Sequence, residues 1–227
     1  VAAVIVEPIG GNMGVVPPVP EFLEGLRDLT AEHGSLLIFD EVITGFRVAL
    51  GGAQSVYGVT PDITCLGKVV GGGFPVGAYG ASAEIMSEVS PIGPMYQAGT
   101  LSGNPVAMAA GIATLDELSK PGVYEGLQAK TDLLADGVQD VFSKAGIPAV
   151  VNRACGLMTV FFTSNDVTDM ASASAADREA FAAFFRDMID NGVYLPPSQF
   201  EAWFVSTVHS DADISQTLEG VASSLPS

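Results

Sequence analysis

Apolar residues open the chain as an unbroken run, VAAVIV at 1–6, which is too continuous to alternate and reads as a buried strand. The next stretch, EPIGGNMGVVPPVP at 7–20, is dense in Gly and Pro and reads as a loop. Over 21–33, Phe22, Leu23, Leu26 and Leu29 recur at helical spacing, and Gly34 stops that helix. SLLIF at 35–39 predicts a second buried strand, ending on Asp40 and Glu41. Residues 62–66 predict a third, leading to Lys68, and VGAYGA at 76–81 a fourth. Asn104 is placed to cap a helix with Pro105 at its first position, running to about Ser119. Strands that are apolar at successive positions, alternating with helices, indicate a mainly parallel sheet covered on both faces.

The pattern changes after Lys120. KPGVYEGLQAKTDLLADGVQDVFSKAG is amphipathic at helical period and closes on Gly146. Short strands are expected at 149–151 and 157–162, then a polar surface loop, TSNDVTDMASASAAD. A helix follows at 178–191, then GVYLPP as strand and turn, WFVST as a strand, and a last helix from Asp211 capped by Ser210. The fold expected is α/β: 1–120 as the C-terminal part of a larger, mainly parallel-sheet domain, and 121–227 as a small α+β domain. Entry straight into a strand, without an initiator Met or the charged start of a signal peptide, suggests a piece of a longer polypeptide.

Composition narrows the field of partners. The chain has 227 residues, of which 48% are hydrophobic, enough for a substantial core, and no apolar run long enough to cross a membrane as a helix. A net charge of −17 argues against nucleic acid and anionic membranes, and reads as a solvated acidic surface or as adaptation to salt. Cys65 and Cys155 are too few for a disulfide framework or a zinc site, so no metal is expected and a reducing, cytoplasmic setting is the default. His33 and His209 stand alone and read as structural.

Two residues carry the chemistry. Lys68 is one of four lysines, and it alone sits in an apolar, glycine-rich turn, GKVVGGGFPVGAYG. An amine kept out of water there would favour its neutral, nucleophilic form, ready to condense with an aldehyde as a Schiff base. Asp40 ends a strand, where open α/β sheets bind ligands. Taken alone, the Asp40–Glu41 pair reads as a solvated loop or as a partner for Arg47. Taken with Lys68, a strand-end carboxylate suits the ring nitrogen of pyridoxal phosphate (PLP). The flanking glycines would let backbone approach that ring. AGTLSG, ahead of the Asn104 cap, offers the Gly99 amide and the Thr100 and Ser102 hydroxyls for its phosphate.

FDEVITGFR, LGKVVGGGFPVGAYG and GPMYQAGTLSGNP together resemble the class III, fold-type I PLP-dependent aminotransferases. VEPIGGNMG and YLPPSQFEAWFVSTVHSDADI favour that family's aminomutase branch, which moves an amino group within one molecule. The resemblance runs from Val1 almost to the C-terminus. It implies that Lys68 bonds the cofactor and moves protons, Asp40 pairs with its ring nitrogen, and Val42 packs on its face. It also implies that Thr100, with the Gly99 backbone, binds the phosphate held by the neighbouring subunit of a homodimer, that Asn12 sits near the cofactor's ring oxygen or the substrate, and that Glu201 approaches the substrate. Glu7 would brace the site, and Arg47 would fix the turn after Asp40. Family members are about twice as long. The part not represented here would hold a glycine-serine phosphate loop, an aromatic residue stacked on the ring and a mobile lid. The isolated chain is therefore expected to be a weak catalyst or none.

Overall fold

Strands of two to six residues pair into two separate sheets in the computed structural model, which describes residues 1–225. The described residues divide into two units. One comprises Val1–Pro8 and Pro20–Pro121; the other comprises Ile9–Val19 and the chain from Gly122 onward. Residues 9–19, read from sequence with the first domain, pack in the second unit.

In the first unit β1 (Ala3–Val6), β2 (Leu36–Glu41), β3 (Ile63–Leu66) and β4 (Ala78–Ala81) lie side by side in that order. β1–β2 and β2–β3 are parallel; β3–β4 is antiparallel. The helix α1 (Phe22–Glu32) makes the crossover between β1 and β2, and Leu23 joins Leu37, Phe39 and Val59 in a buried cluster. Each such side chain contributes about 1.5–3 kcal/mol through burial. Arg27 pairs with Asp62 at 2.9 Å, and the same carboxylate oxygen accepts the Leu37 N–H at 2.6 Å, fixing α1 against the strands. Two short helices, α2 (Gly52–Tyr57) and α3 (Ala83–Met86), occupy stretches without a helical signal in the sequence.

The fourteen-residue α4 (Pro105–Leu118) starts where expected: the Asn104 Oδ1 accepts the Val106 and Ala107 N–H groups. Coverage of both sheet faces is not supplied by the described residues. Ala78, Tyr79 and Gly80 of β4 are exposed, and so are Val106 (55%) and Ile112 (62%) of the largely apolar α4. Apolar side chains concentrated this way mark a face that another element covers.

The second unit is built on α5 (Val123–Ala145) and an antiparallel sheet of β5 (Val150–Ala154), β6 (Leu157–Phe161) and β7 (Trp203–Phe204). Three helices complete it: α6 (Met170–Ala175), α7 (Arg178–Asp190) and α8 (Asp211–Ser223). Every residue of β6 is buried. Leu134, Val138, Phe142, Met158, Phe184 and Met188 form the centre of the core, with the Phe142 and Phe162 rings edge to face at 5.2 Å. The expected surface loop at 163–177 contains α6, because Asp169 and Ser172 close a capping box. GVYLPP forms no strand: Pro196 and Pro197 have no N–H to give a ladder, and the strand after them shrinks to two residues. Ser210 caps α8 with Asp213 as reciprocal partner. No helix among the described residues is long and apolar enough to cross a membrane.

Candidate active site

Parallel strands end on the same edge, so β2 and β3 deliver their last residues together. The register sets Asp40 abreast of Cys65, with Lys68 three residues past that partner. Burial pushes the Cys65 thiol up, and the nearby Asp40 charge pushes it further. Asp40 is half-buried; its Oδ1 accepts the Val42 N–H at 3.1 Å. A Cβ on Gly67 would lie 3.1 Å from Val42 Cγ1, so the Val42 side chain sits against the residue that precedes Lys68. The fold thus gathers Asp40, Val42 and the Gly67–Lys68 backbone at one strand edge.

Glu41, expected to be solvated or paired with Arg47, is fully buried. Its Oε2 accepts from the Thr44 hydroxyl at 2.9 Å and the Ala53 N–H at 2.6 Å. Its Oε1 accepts from the Gln54 N–H and Nε2, both at 3.1 Å. A buried carboxylate is tolerable when its lone pairs are used in this way. The side chain ties the turn after Asp40 to the start of α2. Periodicity missed it because Ala53 and Gln54 lie twelve and thirteen residues further on.

The lysine itself departs from expectation. Among the described residues Lys68 is exposed, and its own glycine-rich turn does not cover the amine. Its backbone is unusual instead. Lys68 opens a 3₁₀ turn (Lys68–Gly71) at φ 48°, left-handed for a residue with a Cβ, which costs on the order of 1–2 kcal/mol. The glycines serve packing against α4. A Cβ on Gly72 would lie 2.5 Å from the Ala110 carbonyl oxygen, and one on Gly111 would lie 2.4 Å from the Val70 carbonyl oxygen. The lysine turn therefore rests directly on the helix backbone.

The loop before α4 holds Gly99 and Thr100, both exposed. Gly99 lines a cavity of about 680 Å³ together with Val70, Val76, Leu101, Met108 and Ile112, which brings its loop beside the lysine turn. Asn12 and Glu201 belong to the second unit and are both exposed. Their segments are joined there: the Gly14 N–H donates to the Phe200 carbonyl at 2.8 Å. No cluster of metal-ligating side chains occurs among the described residues.

The described residues thus hold a strand-end carboxylate and a lysine in left-handed backbone on one α/β sheet. The aminotransferase class-III family model matches residues 1–224, and the chain belongs to that family. It is 61% identical over 218 residues to glutamate-1-semialdehyde 2,1-aminomutase 2 of Brevibacillus brevis, covering 96% of this chain and 51% of that protein. The chain thus spans about half the length of the curated relatives it matches. An omega-transaminase from Sphaerobacter thermophilus superposes with a TM-score of 0.89 at 34% identity, covering 98% of this chain and 51% of that one. A glutamate-1-semialdehyde-aminomutase variant from Pseudomonas aeruginosa PAO1, in complex with PMP, superposes at 0.87 with 26% identity, covering 98% and 51%.

Proposed function

We propose that the protein to which this chain belongs is a PLP-dependent aminomutase that converts (S)-glutamate 1-semialdehyde to 5-aminolevulinate, acting as a homodimer. The observation that carries the reading is the register that places Asp40 next to Cys65, with Val42 against Gly67 and Lys68 following. Curated relatives about 60% identical carry the aminomutase name, and a structural neighbour holds PMP.

The residues present fit the cofactor. Asp40 Oδ1 is taken by Val42, and among the described residues nothing donates to Oδ2, which suits a ring N–H. Val42 offers a branched apolar surface for a ring face, and Lys68 is exposed without an ion pair among the described residues. Gly99 and Thr100 would hold the phosphate of the neighbouring subunit's cofactor. PLP, when bound, supplies the electron sink that lets a proton leave the carbon bearing the amine.

The chain's own residues do the rest. Lys68 Nζ would carry a proton between the cofactor's C4′ and the substrate carbon that gains or loses nitrogen, once for each of two adjacent carbons, so that the amine arrives at one as it leaves the other. Asp40 holds the ring nitrogen charged by accepting its hydrogen bond. Asn12 and Glu201 contact the substrate, and the Glu201 charge disfavours a second carboxylate there, which limits reaction with ordinary dicarboxylic amino acids.

The test is an absorbance spectrum of the purified full-length protein, followed by Lys68→Ala. The variant is expected to lose the visible band of covalently held cofactor and to lose turnover; an unaltered band overturns the assignment. The 34% identity to an omega-transaminase favours one alternative, an ω-amino acid or diamine transaminase. That reading requires an external acceptor such as 2-oxoglutarate or pyruvate for turnover, and the aminomutase requires none.

A further inference from the structure

β6 is five residues of complete burial, and four of them, Leu157, Met158, Val160 and Phe161, are apolar. The fifth is Thr159, with no exposed surface. Valine has the same shape, so packing alone does not call for a hydroxyl here, and a buried hydroxyl is unfavourable unless its bonds are made. Both kinds are made. Thr159 Oγ1 accepts the Val15 N–H at 2.9 Å and donates to the Glu201 carbonyl at 3.3 Å.

These partners lie in two segments far apart in sequence. The first is a loop pinned shut by reciprocal backbone hydrogen bonds between Gly10 and Val16, both 2.9 Å, with Asn12 exposed on it. The second carries Phe200 and the exposed Glu201. Gly14 locks the first segment down further. It lies at φ 76°, donates to the Phe200 carbonyl at 2.8 Å, and leaves no room for a Cβ, which would fall 2.4 Å from Phe161 Cζ. A single hydroxyl therefore reaches from the Asn12 loop to the residue that bears the Glu201 carboxylate.

We propose that Thr159 is a positioning residue for the substrate: its hydroxyl couples the Asn12 loop to Glu201 and sets the spacing of the two side chains that meet it. The proposal rests on the reading of Asn12 and Glu201 as substrate contacts given above. Thr159 touches neither substrate nor cofactor and acts through these two.

The experiment compares Thr159→Val, Thr159→Ser and Thr159→Cys in the full-length protein. Thr159→Val removes one bridging group, so KM for the amino aldehyde is expected to rise about five- to tenfold with kcat within about twofold. The cofactor absorbance should be unchanged, and amide exchange should quicken at both 10–16 and 198–202. Thr159→Ser keeps the hydroxyl and is expected to restore KM. Unchanged KM in Thr159→Val, or faster exchange in only one of the two segments, overturns the coupling. If Thr159→Val does not fold, Thr159→Cys, with its weaker hydrogen bonds, must still raise KM; a wild-type value there overturns the proposal. Asn12→Ala and Glu201→Gln run alongside. If they move KM and Thr159→Val does not, the coupling alone fails. If neither moves KM, the substrate reading fails, and the coupling with it.

Discussion

The two units solve opposite problems. The second closes a core of its own: Phe142, Phe162, Phe184 and Trp203 form one aromatic group, around which α5, α7 and α8 supply Leu134, Val138, Met188 and Ile214. The first has a small cluster at Leu23, Leu37, Phe39 and Val59, and exposes Tyr79, Tyr96, Leu101, Val106 and Ile112. Asp40, Val42, Lys68, Gly99 and Thr100, the residues expected to bind the cofactor, are in the first. The first unit leaves more of its apolar area exposed, so the residues expected to hold the cofactor and the self-sufficient packing sit in different units, while the expected substrate contacts Asn12 and Glu201 lie in the second.

The sharpest way to break that contrast is at Lys68. In the full-length protein, Lys68→Ala is expected to lower turnover by about a thousandfold or more, within the range that positioned acid–base groups supply. Stability should not fall with it. The φ of 48° is strained for any residue with a Cβ, so Lys68→Gly is expected to be more stable than Lys68→Ala by up to about 1 kcal/mol in denaturant melts. Equal midpoints for the two variants would show that the turn stores no strain.

Next in size is the core of the second unit. Phe142 is fully buried among other rings, and Phe142→Ala is expected to cost about 3–5 kcal/mol, read by urea denaturation. In the isolated chain, amide exchange should be slowest in α5 and β6 and fast in β4 and α4, where packing is thin. Comparable protection in both units would remove the distinction drawn above.

How far the sequence revealed these features follows the same division. Strands β1, β2 and β3, the Asn104 cap, α5 and the Ser210 cap were legible, because period, capping chemistry and Gly–Pro punctuation act over a few residues. The buried clasp of Glu41, the Thr159 bridge and the packing of 9–19 with the second unit were not, because each is made between segments 12 to 144 residues apart. The family was legible from FDEVITGFR, LGKVVGGGFPVGAYG and GPMYQAGTLSGNP together. The exposure of Lys68 among the described residues was not: glycines beside a lysine look like a pocket in sequence, yet Gly72 packs against the backbone of α4, whose own Gly111 packs against the Val70 carbonyl.

Glu41→Gln probes the first unit's polar counterpart of a core. The carboxylate uses both oxygens as acceptors, and an amide would turn one position into a donor facing the Ala53 or Gln54 N–H. About 2 kcal/mol of destabilisation is expected, with the loss felt first as faster exchange in α2. If Glu41→Gln melts with the wild type, the turn after Asp40 is held by its backbone hydrogen bonds and the clasp adds nothing.

The smallest effect tests the strand-edge geometry without any cofactor. Cys65 is a free thiol pushed up by burial first and by the negative charge of Asp40 second. A raised thiol reacts slowly at mildly alkaline pH, because the thiolate is the nucleophile. Asp40→Asn removes one of the two causes, so the thiol should ionise at a lower pH and react about two- to threefold faster with iodoacetamide near pH 8, as a few tenths of a kcal/mol at a half-buried, solvent-screened strand edge implies. Burial is untouched, so the profile should move only part of the way to that of an ordinary cysteine. Reaction rates identical across the pH range in both proteins would mean that the carboxylate does not face β3. The register on which the cofactor reading stands would then be wrong at the residue that matters most.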